Sequence, residues 1–255
     1  GISVEKLDLS ERLGEETKYS LHYWKEDEIR GCDCWLCRST ERRMKFWEDK
    51  KEPPEESELA EVAADYVMEI LKATENGSIL VFLPGQDSIS KTKKLIEEKK
   101  KETDLKDEIP VIPIYRLLGE AKVSESFNRK GKKRRVLLTT DIAETSHTLD
   151  DLVYIIESGY IKESQWDPET EISSLLTIRH SQAGCRQRYG RVGRNQKGYV
   201  YCLYLKEQFE DENEFKKQTI PELYRSPFDD VFLNLRAAGI NDDPAILIGL
   251  QDNKE

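Results

Sequence analysis

The sequence has no Gly-x4-Gly-Lys-[Ser/Thr] loop, whose backbone amides would cradle a triphosphate, and no Asp-Glu-x-His to hold magnesium. On its own, the chain is therefore not expected to hydrolyse a nucleotide. No run approaches the ~18 consecutive apolar residues that span a bilayer, and the N-terminus lacks a basic start followed by an apolar stretch. A soluble, intracellular protein of the cytoplasm or nucleus, with no membrane partner, is expected. Cysteine is scarce: there are five, an odd number, and Cys32, Cys34 and Cys37 stand too close together for an ordinary disulfide framework, which points to a reducing compartment. Excess positive charge is also lacking. A net charge of -10 argues against nonspecific coating of nucleic acid but leaves room for a local basic track. Two candidates are the run Arg129 to Arg135, which could equally be a solvated face, and the arginines at 186, 188, 191 and 194.

The apolar pattern sets the fold class. From residue 57 to 71, Leu59, Val62, Ala63, Tyr66, Val67, Ile70 and Leu71 recur at helical spacing. Asn76-Gly77 breaks that helix, and Ile79 to Leu83 follows as a continuous apolar run, the signature of a strand covered on both faces. A charged helix is expected from about Asp87 to Lys101, with strands at 111–115, 136–139, 152–156 and 199–204, and a short helix before 136. Strands alternating with helices imply an α/β parallel sheet with helices on both faces. Tyr160 to Ile178 instead suggests a β-hairpin turning at Asp167-Pro168-Glu169-Thr170. Ser226-Pro227-Phe228-Asp229 has the order of a helix N-terminus, with Phe228, Val231, Phe232 and Leu235 inward and Gly239 closing it. Asn241 to Glu255 is too short for a domain, so the chain is expected to stop at a domain boundary, with Gly1 a cloning remnant.

The chemistry concentrates in Gln187-Arg188-Tyr189-Gly190-Arg191-Val192-Gly193-Arg194. If this segment is helical, positions 187, 191 and 194 share one face and project an amide and two guanidiniums suited to a triphosphate. Arginines supplied from outside a phosphate site stabilise the charge that spreads over a transferring phosphoryl group. Gly190 and Gly193 would let another surface approach; otherwise each weakens a helix by about 1 kcal/mol. A second segment, Thr139 to Ser146, directly follows a buried strand, where ligands gather in open α/β sheets, although a helix-capping turn would look the same.

Together these segments resemble the second RecA-like domain of the DEAH-box RNA helicase family, nearly continuously from Gly77 to about Ile240. Ile79 to Gly85 looks like motif IV, Thr140 to Ser146 like motif V, and Ser181 to Arg194 like motif VI. Pro221-Glu222-Leu223-Tyr224-Arg225 resembles the lead-in to the family's winged-helix domain. The resemblance implies that Gln187 faces the γ-phosphate and attacking water and that Arg191 and Arg194 are arginine fingers. It implies further that Phe127 stacks on adenine, that Thr148 and Asp150 lie at the nucleotide, and that Ser146 links motif V to the other domain. Thr140 and Asp141 correspond to a Thr-Asn pair facing the RNA backbone; Asp141 removes an NH₂ donor, as a similar Thr-Asp does in flaviviral helicases. ATP and Mg²⁺ would be held mainly by a first RecA-like domain that this sequence lacks.

The domains implied are 1–56, an N-terminal strand near Lys18 to Trp24 with a Cys-containing insertion; 57–225, the second RecA-like domain; and 226–255, the start of the winged-helix domain. The expected function is the C-terminal half of an ATP-dependent motor that translocates along and unwinds RNA, with single-stranded RNA and the first RecA-like domain as partners. A non-hydrolysing RNA-binding or adaptor module, recruiting a protein through the insertion, is the alternative, as is a DNA helicase. Cys32, Cys34 and Cys37, with His22 as a fourth donor, could hold Zn²⁺ tetrahedrally. The compact spacing favours ordinary reduced thiols, and no metal site is assigned. His180 is expected to be structural.

Overall fold

The computed structural model describes residues 19–24, 34, 54–103, 109–115, 134–141, 151–167, 169–194, 196–221 and 228–240. In chain order the described elements are β1 (Tyr19–His22), α1 (Leu59–Ala73), β2 (Ser78–Phe82), α2 (Gln86–Lys101), β3 (Val111–Ile114), β4 (Val136–Thr139) and β5 (Leu152–Glu157). They continue with β6 (Tyr160–Asp167), β7 (Ile172–Arg179), α3 (Gln182–Tyr189), β8 (Gly198–Cys202), α4 (Lys206–Glu210) and α5 (Phe228–Ala237). The helix expected before Val136 lies outside the described residues.

Six strands form one parallel sheet in the order β1-β8-β5-β2-β4-β3. The central strands β2, β4, β5 and β8 are buried along their whole length and mostly apolar, because both of their faces are covered. Ile79 and Val81 of β2 point into a core shared with α1 and α2, whereas Leu80 and Phe82 enter a second core with Cys185 and Tyr189 of α3. This is the parallel α/β arrangement that the alternating pattern implied, in agreement with the RecA-like fold that the resemblance implied. The chain divides into two compact units, Gly1–Lys162 with Thr177–Thr219, and Glu163–Leu176 with Ile220–Glu255. The sheet and α1 to α4 belong to the first. In the second, α5 keeps Phe232 and Leu235 half-buried and Leu233 exposed.

β6 and β7 form a separate two-stranded hairpin. Its turn is organised by the Asp167 carboxylate, which accepts the Glu169 amide at 3.0 Å and the Thr170 hydroxyl at 2.7 Å. Pro168 lies outside the described residues.

Part of the presumed basic track is structural. Arg134 donates to the carbonyls of Gly77 at 2.9 Å, Ile70 at 3.3 Å, and Thr74, thereby capping the C-terminal carbonyls of α1. Burial holds its guanidinium below the ordinary arginine value. Arg135 is buried and pairs with Asp151 at 3.4 Å. Residues 129–133 are outside the described set. Among the described residues, no helix is long and apolar enough to cross a membrane.

Candidate functional site

The strand registers align Thr139, Phe82, Glu157 and Cys202 in one row across β4, β2, β5 and β8 at the carboxyl end of the sheet. The chain leaves β2 toward β3 on one side and β5 toward β8 on the other, so the β2/β5 pair is a topological switch point, where open α/β sheets bind ligands. Thr140, half-buried, and Asp141, exposed, follow directly from β4, two strands or roughly 10 Å from β5.

Helix α3 starts at an N-cap serine: Ser181 Oγ accepts the Gly184 amide at 3.0 Å. Gln182 ties the first turn down through its amide, which donates to the carbonyls of Phe209 and Phe215 at 2.9 and 3.2 Å. Gly184 lies flat beneath the buried His180 ring; a Cβ there would stand 2.0 Å from Nε2. Cys185 and Tyr189 enter the core, and burial pushes both well above their ordinary pKa values. Cys185 therefore stays a protonated thiol and offers no nucleophile.

The expected single helical face from 187 to 194 is not what forms. α3 ends at Tyr189, and the backbone turns through Arg191 N to Arg188 O at 3.1 Å and Val192 N to Tyr189 O at 3.2 Å. Gly193 adopts φ 76°, a left-handed conformation that costs other residues energy, so its role here is to bend the chain away. Gln187 on the last helical turn is exposed, Arg191 in the turn is half-buried, and Arg194 is exposed with Nε donating to Gly190 O at 3.1 Å. The three still sit within one short helix-to-turn segment.

Arg188 is not part of any surface track. It is fully buried, with Nη1 2.8 Å from Glu157 Oε1 and its guanidinium 4.7 Å from the Phe82 ring centroid. Glu157 Oε1 also accepts the Gly159 amide at 2.8 Å. Burial pushes the Glu157 carboxyl above the usual carboxylate range; the Arg188 guanidinium, the Gly159 amide and His180 pull it back. Sequence reasoning missed this pair. Its available signal was a lone acid closing the otherwise apolar run Leu152 to Ile156.

Phe127, Ser146, Thr148 and Asp150 lie outside the described residues, as do Cys32 and Cys37. Cys34 is described, buried, with Sγ 3.4 Å from Nε2 of the equally buried His22, whose ring stacks on Tyr201 at 5.1 Å. Among the described residues, no group of three or more His, Cys, Asp or Glu side chains is arranged to hold a metal ion.

The pattern of the helicase conserved C-terminal domain matches residues 62–196. Curated relatives include the pre-mRNA-splicing factor ATP-dependent RNA helicase prp22 of Schizosaccharomyces pombe, 37% identical over 191 residues, or 73% of this chain and 16% of that protein. The probable ATP-dependent RNA helicase DHX35 of Homo sapiens is 34% identical over 179 residues, 69% of this chain and 25% of that protein. The chain thus spans a quarter or less of these relatives. A crystal structure of the DEAH/RHA helicase HrpB of Escherichia coli shares the fold with a TM-score of 0.63 at 23% identity, covering 90% of this chain and 25% of that one. Since the matched pattern takes in just over half of its residues, the chain belongs to the helicase conserved C-terminal domain family, among relatives of the DEAH/DExH-box type.

Proposed function

We propose that this chain is the second half of the ATPase motor of a DEAH-type RNA helicase, working inside the cell with a first RecA-like domain that binds ATP and Mg²⁺. The observation that carries this reading is the placement of Gln187, Arg191 and Arg194 in one helix-to-turn segment, anchored at a sheet switch point through Arg188. Gln187 would orient the attacking water, and Arg191 and Arg194 would stabilise the charge on the transferring phosphoryl group. Phe127, Ser146, Thr148 and Asp150 would complete the nucleotide side. Thr140 and Asp141, beyond β4, would touch the backbone of single-stranded RNA. Residues 1–56 would form the N-terminal strand and insertion, 57–225 the motor domain and 226–255 the beginning of a winged-helix domain.

The decisive experiment uses the full-length protein that contains this chain. Arg191→Ala or Arg194→Ala should lower kcat for ATP hydrolysis about 10³-fold or more, with a much smaller effect on ATP binding. RNA affinity without nucleotide, read by fluorescence anisotropy, should persist. Near wild-type turnover in both variants would sink the reading. Loss of RNA or partner binding with no ATPase to lose would favour the adaptor, and equal action on DNA strands would remove the RNA assignment.

A further inference from the structure

Arg188 plugs the switch point between β2 and β5 from beneath the segment that presents Arg191. Its Nη1 meets Glu157 Oε1 at 2.8 Å, its guanidinium carbon lies 4.7 Å from the Phe82 ring centroid, and neither charged side chain of the pair is exposed to solvent. On the main chain, Arg188 O accepts the Arg191 amide at 3.1 Å. A continuous path therefore runs from the carboxyl end of β5, through a buried guanidinium, to the backbone of the half-buried arginine.

Stability alone gives this pair little reason to exist. Taking two charges out of water offsets most of their attraction, and well-packed apolar side chains of similar volume usually serve a core as well or better. An ion pair in a core supplies direction instead. The planar guanidinium donates to the carboxylate in few orientations, and here Arg188 Nη1 and the Gly159 amide converge on the single oxygen Glu157 Oε1, which fixes the direction of the pair. Glu157 is itself fixed, because its strand is hydrogen-bonded on both sides and its Oε1 also holds the Gly159 amide.

We propose that Arg188 and Glu157 form a positioning pair for ATP hydrolysis: without touching nucleotide, they set where Arg191 stands by fixing the residue whose carbonyl holds its amide. This rests on the reading of Arg191 as an arginine finger. A reacting group displaced by about 1 Å can lose on the order of 10²-fold in rate. That sensitivity makes the anchor beneath a finger measurable.

The test uses the full-length protein with Arg188→Met and Glu157→Gln combined, which removes both charges at near-constant volume. The double variant should melt close to the wild type, lower single-turnover kcat roughly 10- to 100-fold and leave the KM for ATP nearly unchanged. Introduced into Arg191→Ala, it should cause no further loss, because the group it positions is gone. Unimpaired turnover in Arg191→Ala alone would refute the finger reading itself. Inactive Arg191→Ala beside a fully active double variant, or losses that multiply when the changes are combined, would overturn the positioning pair and leave the finger reading intact. Should the double variant fail to fold, Arg188→Lys keeps the charge without the fork. A folded Arg188→Lys with lowered kcat supports the pair, and full turnover overturns it.

Discussion

Arg191 and Arg194 differ in what holds them. The Arg191 main chain is tied to Arg188, whereas Arg194 is exposed and bonds its own turn through Gly190 O at 3.1 Å. As the proposed finger, Arg194 would exchange that contact for a phosphoryl oxygen, where the planar fork would matter more than the charge. Arg194→Lys should therefore be nearly as inactive as Arg194→Ala in steady-state ATPase assays of the full-length protein; half of wild-type kcat in the lysine variant would show that a point charge suffices. Gly193 sits one residue before it at φ 76°. Gly193→Ala should cost about 1–2 kcal/mol and displace Arg194. Lower Tm and lower kcat are expected together, and an unchanged thermal melt would show that the turn tolerates a Cβ.

Among the helices, α1 is held at its end by a residue sixty positions away in sequence. Its last carbonyls and the following turn are capped by Arg134. Arg134→Ala should lose about 1.5–3 kcal/mol in denaturant unfolding, as expected for charge-assisted bonds to backbone carbonyls, and a change below 0.5 kcal/mol or so would show that water replaces the cap. Helices α1 and α2 are also linked by Lys99 to Asp65 at 2.6 Å, and this bond raises the lysine pKa above its ordinary value. A raised lysine pKa means that the link's contribution is complete below the unfolded value and is lost as pH rises through the folded one. Asp65→Asn should therefore lower Tm at pH 8 more than at a pH above the raised value. An equal decrement at both would remove the link.

For the whole molecule, the same logic predicts that the isolated chain binds ATP at best weakly, since most phosphate donors would belong to the partner domain. Micromolar affinity in isothermal titration with ATP and magnesium would contradict this. The His22–Cys34 contact of 3.4 Å fits a thiol–imidazole hydrogen bond, so the chain should carry well under one equivalent of zinc and stay folded with a chelator. About one equivalent per chain, with structure lost on chelation, would instead assign the remaining ligands to Cys32 and Cys37.

Local pattern alone determined most of the sheet. A continuous apolar run is best buried between two layers, and so 79–83 was readable as a strand covered on both faces, with 136–139 and 152–156 as further strands of the same α/β sheet; all three lie in its interior. The segment 187–194 stood out in the sequence as the candidate site because of its residue types. The sequence could not show where α3 stops, since two glycines weaken a helix without fixing its end, whereas the structure ends it at Tyr189 with Gly190 as the C-cap and Arg188 and Tyr189 buried. Nor could it separate four neighbouring arginines into roles. Only the tertiary structure placed Glu157 beneath Arg188, because that choice depends on a strand 31 residues away closing the switch point, and no local preference encodes a long-range charge pair.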